Sequence, residues 1–269
     1  LIALNRQAIA FAGSAVEEYG INADYFDRAG KVNGAASAAG HAHNLSYAKH
    51  LDTLGEASEL LDQGQMEELT GSRHYRSGLY TPGTVMLQPA GYIRGLGAGL
   101  KKAARIYENS PATGFAREGS TWKVTTPKGS ISTARILLAN NGHLESFGFE
   151  KGRLMQLFLY ASMTTELDAD ALKALGGAPR WGVTPSDPMG TTMRRIDTGQ
   201  GGNRIITRTC ATLKPGMVPS QAGVDRAAKV QQQKFDQRFP QLAGMAMECR
   251  WAGHLCLSLN GVSVMRELE

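Results

Sequence analysis

What this sequence lacks narrows it first. No stretch approaches the roughly 20 consecutive apolar residues that a membrane-spanning helix needs, so no membrane span is expected. The opening, Leu1-Ile2-Ala3-Leu4-Asn5-Arg6, has no basic segment ahead of an apolar run and does not read as a signal peptide. It also lacks an initiator Met, and the chain stops on Glu267-Leu268-Glu269 with no tail; both ends read as cuts in a longer protein. Cysteine is scarce: Cys210, Cys249 and Cys256 cannot all pair, and their spacing fits no zinc pattern. Each sits in an apolar or alternating context, which reads as buried, reduced thiols and a cytoplasmic setting. His41, His43 and His50 share a segment without a nearby set of carboxylates, so no metal site is expected there. No Ser-His-Asp or Cys-His arrangement with a nucleophile elbow is present either. Positive charge exceeds negative, 29 Lys and Arg against 24 Asp and Glu, but Lys101-Lys102 and Arg194-Arg195 are the only adjacent pairs. Without basic residues interleaved with aromatics there is no stacking platform, and nucleic acid is not an expected partner.

What is present is a globular sequence of ordinary composition, 269 residues with 42% apolar and 20% charged, enough for one large domain or two interleaved ones. Helix formers fill 2–19 and stop at Gly20; 42–54 reads as a second helix ending at Gly55, and 63–69 as a short third. The runs around Gly30 read as extended. From Pro89 a helix runs to about Ala104, and its glycines Gly91, Gly95, Gly97 and Gly99 imply close packing against another backbone. Strands are expected at 105–108, at 122–126 turning through Pro127-Lys128-Gly129 into 131–134, and at the apolar run 135–139, which reads as a buried strand feeding Asn140-Asn141-Gly142. The second half should alternate strand with strand: 157–165, 191–196 paired with 204–208 across Gly199-Gln200-Gly201-Gly202, a long strand within 245–259, and a last one at 262–264. A short helix at 168–175 and an amphipathic one at 224–235 interrupt it. Few helical crossovers separate these strands, so the fold class expected is α+β: a largely antiparallel sheet with flanking helices.

Several collinear segments resemble the D-amino-acid-oxidase-like family of FAD oxidoreductases. Gln88-Pro89-Ala90 onward is similar to its P-x-x-L helix, Ile106-Tyr107-Glu108-Asn109-Ser110-Pro111 to its E-x-x-x-V strand, and Leu138-Ala139-Asn140-Asn141-Gly142 to its V-x-A-T/N-G turn. Met163-Thr164-Thr165-Glu166-Leu167 resembles T-E-P-L, Arg194 with Arg204-Ile205-Ile206 resembles an R…R-I-x-x-G hairpin, and Trp251-Ala252-Gly253 resembles W-x-G. Gly190-Thr191-Thr192-Met193-Arg194-Arg195 and Trp251-Ala252-Gly253-His254-Leu255 look most like the γ-glutamylputrescine-oxidase-like branch. The similarity covers nearly the whole chain; each motif alone is weak, and their order carries the specificity.

The resemblance implies an enzyme that passes a hydride from an amine or amino acid to flavin N5, giving an imine. The cofactor carries that chemistry, so a missing acid or base among the motifs is no obstacle. It implies a partial FAD-binding domain at 1–19, 84–142 and 258–269, and a substrate domain at 20–83 and 143–257. Ala112, Ala139, Asn140 and Gly142 fall where the backbone passes the cofactor, and Trp251 and Gly253 on the strand that crosses near the ring. For Asn141 a sheet edge or turn serves equally. His254 and Arg194 are the substrate-side candidates. His254 also reads as a satisfied structural histidine, and Arg194, Arg195, Arg204 and Arg208 as a solvated sheet face; alternation keeps Arg194 and Arg195 from facing one cavity. The family's phosphate-binding G-x-G-x-x-G strand–turn–helix has no counterpart: Gly95-Leu96-Gly97-Ala98-Gly99-Leu100 lies inside a helix. Gly261-Val262-Ser263-Val264-Met265 carries Ser where Pro is common, with no glycine-rich helix beyond it. The full-length product is therefore expected to bind FAD, and this chain alone to be inactive and not to hold it. The alternative expectation is a non-catalytic small-molecule binding module derived from the same family.

Overall fold

The computed structural model of the chain describes residues 2–267. In chain order, α1 (Ile2–Tyr19) stops at Gly20, whose φ of 64° is the left-handed turn that glycine takes without a Cβ penalty. A 3-10 turn at Ala23–Tyr25 leads into β1 (Phe26–Asp27) and β2 (Lys31–Ala35). α2 (Ala38–Thr53) starts earlier than its apolar pattern indicates, because the Ser37 hydroxyl accepts from the Gly40 amide and caps it. β3 (Glu59–Leu61) precedes α3 (Gln63–Thr70), which carries a full capping box between Asp62 and Gln65. β4 (Ser77–Thr81), β5 (Met86–Leu87) and α4 (Pro89–Leu100) follow.

Next come β6 (Gly114–Glu118), β7 (Thr121–Thr126), β8 (Gly129–Thr133) and β9 (Leu154–Thr164). α5 (Ala169–Leu175) begins on the Asp168 cap. β10 (Trp181–Pro185), β11 (Thr192–Ile196), β12 (Arg204–Leu213), α6 (Gln221–Arg238, capped by Ser220) and β13 (Met247–Ser258) complete the order.

The fold is α+β. The strand order of the eight-stranded sheet is β13-β9-β12-β11-β10-β2-β4-β3, with β6-β7-β8 and β1-β5 forming two smaller sheets. The β1-β5, β10-β11, β11-β12, β2-β4, β3-β4, β6-β7 and β7-β8 pairs are antiparallel, while β2 and β10 pair in parallel, with Val32 facing Val183. The expected 191–196 and 204–208 hairpin is present, with Arg194 opposite Ile206.

Two compact units divide the chain. The larger comprises residues 2–100, 159–211 and 219–253, the smaller residues 101–158, 212–218 and 254–267. The larger unit has one continuous apolar core: Val32, Val183, Met193 and Ile205 from the sheet meet Met66 of α3, Leu175 of α5, and Phe235 and Phe239 in and after α6. The smaller unit has β6-β7-β8 and, around it, an aromatic cluster in which the Phe115 ring lies 5.4 Å from Phe147, 6.1 Å from Phe149 and 5.8 Å from Trp122.

Several expectations need correction. Residues 105–108, 135–139 and 262–264 form no strand. A strand is stabilised by ladder bonds to a neighbour, and none of these three segments pairs with one; Leu137 is 91% exposed rather than buried. α4 ends at Leu100, four residues short of the expected Ala104. Its glycines make room for side chains rather than another backbone: a Cβ at Gly91 would meet Tyr25, at Gly95 Ile21 and at Gly99 Tyr19, while Gly97 faces open space. The three cysteines are free as expected but half-buried rather than buried.

Candidate functional site

In the smaller unit the turn expected at Asn140-Asn141-Gly142 enters a 3-10 segment, Asn141–Phe147, with Asn141 in the left-handed region at φ 52°. Gly142 is buried, and a methyl added there would stand 2.8 Å from His254 Cε1 and closer still to Gln156 Oε1. Gln156, on β9 and 2% exposed, holds this region together. Its Nε2 donates to the Gly142 carbonyl at 3.2 Å and to Glu145 Oε2 at 2.9 Å, and its Oε1 lies 2.8 Å from His254 Nε2. An amide oxygen only accepts, so His254 must carry its proton on Nε2. The His254 ring packs 5.4 Å from Phe158 and 6.0 Å from His143, and Glu145 Oε1 accepts from the Gly152 amide. One step back along the chain, both amide atoms of Asn140 are sealed from solvent without a hydrogen-bond partner. An unsatisfied buried amide is costly and calls for an explanation.

The smaller unit also contains a cavity of about 1140 Å³, walled by Phe115, Trp122, Phe149 and residues 134–138. Arg117 lies over the Trp122 ring at 5.8 Å, and Arg266 pairs with Glu150 at 2.6 Å.

Arg194 belongs to the larger unit, where its guanidinium is engaged by the protein: Nη1 donates to the Leu87 carbonyl at 2.5 Å and Nη2 to Gln200 Oε1 at 2.9 Å. Gln200 in turn donates to the Asp24 carbonyl. Burial pushes the Arg194 guanidinium below its ordinary value, with Asp27 opposing and Arg180 adding to that. This geometry ties β5, β11 and the 198–200 turn together. Arg195 points the other way, as alternation requires, and donates to the Gly176 carbonyl. At 5% exposure Arg195 is buried, not part of a solvated face. Beside them Arg180 is pinned by Asp24 at 2.6 Å and Asp197 at 2.7 Å.

The candidate residues therefore fall in two groups. Ala112, Ala139, Asn140, Gly142 and His254 are in the smaller unit, and Gln156 joins Gly142 to His254. Ala112 and Ala139 are exposed in coil. Arg194, Trp251 and Gly253 are in the larger unit; Trp251 is 42% exposed and Gly253 is exposed, both on β13. Sequence reasoning missed Gln156 and Glu145. The available signal was Gln156 itself, a polar residue inside the apolar run Leu154–Thr164.

A dinucleotide pyrophosphate needs free backbone amides at a helix start. One amide at each start from α2 to α6 is already taken: Ser37, Asp62, Asp168 and Ser220 accept from amides of α2, α3, α5 and α6, and the Gln88 side chain accepts from that of Gly91 in α4. Gly95–Gly99 lies within α4. None of these starts follows a G-x-G-x-x-G turn, so none reproduces that phosphate cradle.

Fold and sequence together identify the class. The chain matches the family described as DAO, FAD dependent oxidoreductase, over residues 1–269, and belongs to that family. Its fold is shared by glycine oxidase from Geobacillus kaustophilus (TM-score 0.76, 15% identity, covering 97% of this chain and 67% of that one). L-proline dehydrogenase from P. horikoshii is similar to it (TM-score 0.76, 14% identity, 98% and 69%). So is L-amino acid deaminase from Proteus myxofaciens in complex with anthranilate (TM-score 0.73, 13% identity, 98% and 70%). The chain spans about two thirds of the length of these neighbours. Comparison with curated proteins gives no match. No helix among the described residues is long and apolar enough to cross a membrane.

Proposed function

We propose that this chain is part of an FAD-dependent oxidoreductase that oxidises a C–N bond of a small amine or amino acid to an imine. The observation that carries the reading is the family match over the whole chain, joined to a fold shared with proteins named for amino-acid oxidation. FAD supplies the redox chemistry in such a protein. The contribution of this chain is a substrate-side sheet over 20–83 and 143–257, with cofactor-side segments at 1–19, 84–142 and 258–269. Ala112, Ala139, Asn140, Gly142, Trp251 and Gly253 are the residues assigned to the cofactor side. The unpartnered Asn140 amide supports that assignment best, because a ligand group would satisfy it. His254 and Arg194 are assigned to the substrate side. Both Nη atoms of Arg194 already donate within the protein, so a substrate there would have to displace one of those bonds. A cytoplasmic setting is proposed from the three free cysteines, and the γ-glutamylputrescine-oxidase-like branch from the Gly190–Arg195 and Trp251–Leu255 segments.

The test is spectroscopic. The protein purified from its own cells should show the visible bands of a bound flavin, and those bands should bleach when a primary or secondary amine or an amino acid is added without oxygen. A colourless protein, or a flavin that no amine or amino acid reduces, would refute the reading. A second reading, a non-catalytic binding module, is favoured by one observation: side chains of the protein occupy amides at the starts of α2 to α6. It predicts saturable amine binding with no flavin retained.

A further inference from the structure

The larger unit contains a second cavity, of about 580 Å³, between β2, α3 and the approach to β10. Its size is that of pockets that take small organic molecules. The three glycines lining it let neighbouring elements of its wall approach closely. A Cβ at Gly30 would strike Tyr80 and the Thr81 carbonyl, one at Gly177 the backbone of residues 69–71, and one at Gly182 the Met86 sulfur. The apolar wall comes from Leu61, Leu69, Met86 and the buried Trp181.

Charge within this cavity is uneven. Arg180 lines it, but two carboxylates already neutralise that guanidinium at hydrogen-bond distance. Lys31, at the start of β2 and half-buried, lines it with no ion pair among the described residues. Taking an ammonium partly out of water without a partner costs free energy that a bound anion recovers. The Lys31 amine is pushed below its ordinary value by that burial, as an unpaired cation should be. Glu68 also lines the cavity and is exposed, so a second negative charge on a ligand would meet a carboxylate.

We infer that this cavity binds a small monocarboxylate with an apolar body, its carboxylate on Lys31 and its apolar part against Trp181, Met86, Leu61 and Leu69. None of the residues assigned above to cofactor or substrate lines this cavity, although Gly182 on its wall lies opposite Arg194 in the β10-β11 pair.

The test uses titration calorimetry on the chain with phenylacetate, its neutral amide phenylacetamide, and the diacid phenylmalonate. Phenylacetate should bind saturably, with the amide and the diacid each weaker by about tenfold or more. Lys31→Met should weaken phenylacetate by about tenfold, and Glu68→Gln should narrow the gap between diacid and monoacid. Because Lys31 is on a core strand, an independent readout uses the unaltered protein: phenylacetate, but not phenylacetamide, should protect Lys31 from acylation as read by peptide mass. Equal binding of acid and amide, phenylacetate binding unchanged in folded Lys31→Met, or an unprotected Lys31 at saturating phenylacetate would overturn the inference.

Discussion

The two compact units are built to different standards. In the larger one Met66, Leu79, Val183, Met193, Ile205, Phe235 and Phe239 are wholly buried. Among the described residues of the smaller one, only Gly142, Gln156 and Phe158 are buried, and one of these is a glycine and one is polar. Ile106, Tyr107, Ile131, Leu137 and Met265 of the smaller unit are exposed apolar residues. Burial of apolar surface is the main favourable term in folding, so cohesion within the smaller unit rests on a ring cluster and the hydrogen bonds of Gln156, not on a filled interior. A region of that kind opens locally at lower free energy than a packed sheet.

Substitutions can break or sharpen this contrast. The largest effect is expected from Phe239→Ala. Phe239 is at 0% exposure, with its ring 5.3 Å from Phe235 and 6.2 Å from Trp181. Emptying that space should cost about 3–5 kcal/mol in urea unfolding. A loss under about 1 kcal/mol would mean the larger unit is not packed as described. Gly142→Ala comes next, at about 1–3 kcal/mol. Hydrogen exchange should accelerate along 141–147 and leave β10 and β11 unchanged; uniform acceleration would show that the units do not open separately.

The third test is pH. Burial, reinforced by the charges of Arg238 and Lys234, lowers the His74 imidazole in the larger unit from 6.5 to about 4. Between those values the unfolded chain takes a proton that the folded one refuses. Stability should therefore fall as pH drops from 6.5 toward 4, with the His74 contribution fully lost below that range. His74→Gln should flatten that interval, and an unchanged slope would remove His74 as its source. Smallest is Trp122→Ala, a half-buried ring at the edge of the Phe115 cluster, about 1 kcal/mol or less, measured in the same urea series. If it matched Phe239→Ala, the contrast would collapse.

The same contrast governs what could be read from the sequence. In the larger unit, most punctuation agreed with tertiary structure: Gly20, Gly55, Asp62 and Asp168 mark helix ends as their chemistry dictates, and the 192–196 hairpin falls in register, while α2 starts early and α4 stops short. The three segments wrongly expected to be strands, 105–108, 135–139 and 262–264, are all in the smaller unit. β-propensity describes a residue that suits a pleated surface, but pairing requires a partner strand. For the candidate site, Gly142 and His254 were visible as motif positions. Their connection through Gln156 was not, because a hydrogen bond spanning 98 residues leaves no local trace beyond one glutamine in an apolar run. Arg194 illustrates the opposite case: its motif position marked it as a substrate-side candidate, while the structure gives its fork to a backbone carbonyl and to Gln200.

The parallel seam between β2 and β10 bears on how the chain acquires its sheet. Val32 cannot meet Val183 until about 150 further residues have been synthesised, roughly 7–30 s at 5–20 residues per second. During that interval the edge of β2 that receives β10 has unsatisfied amides and carbonyls beside the β4 it already pairs with. Nascent chains are thus most prone to mispair with one another in this window. Slowing elongation downstream of β4 should therefore lower the yield of native protein more than slowing it beyond β10.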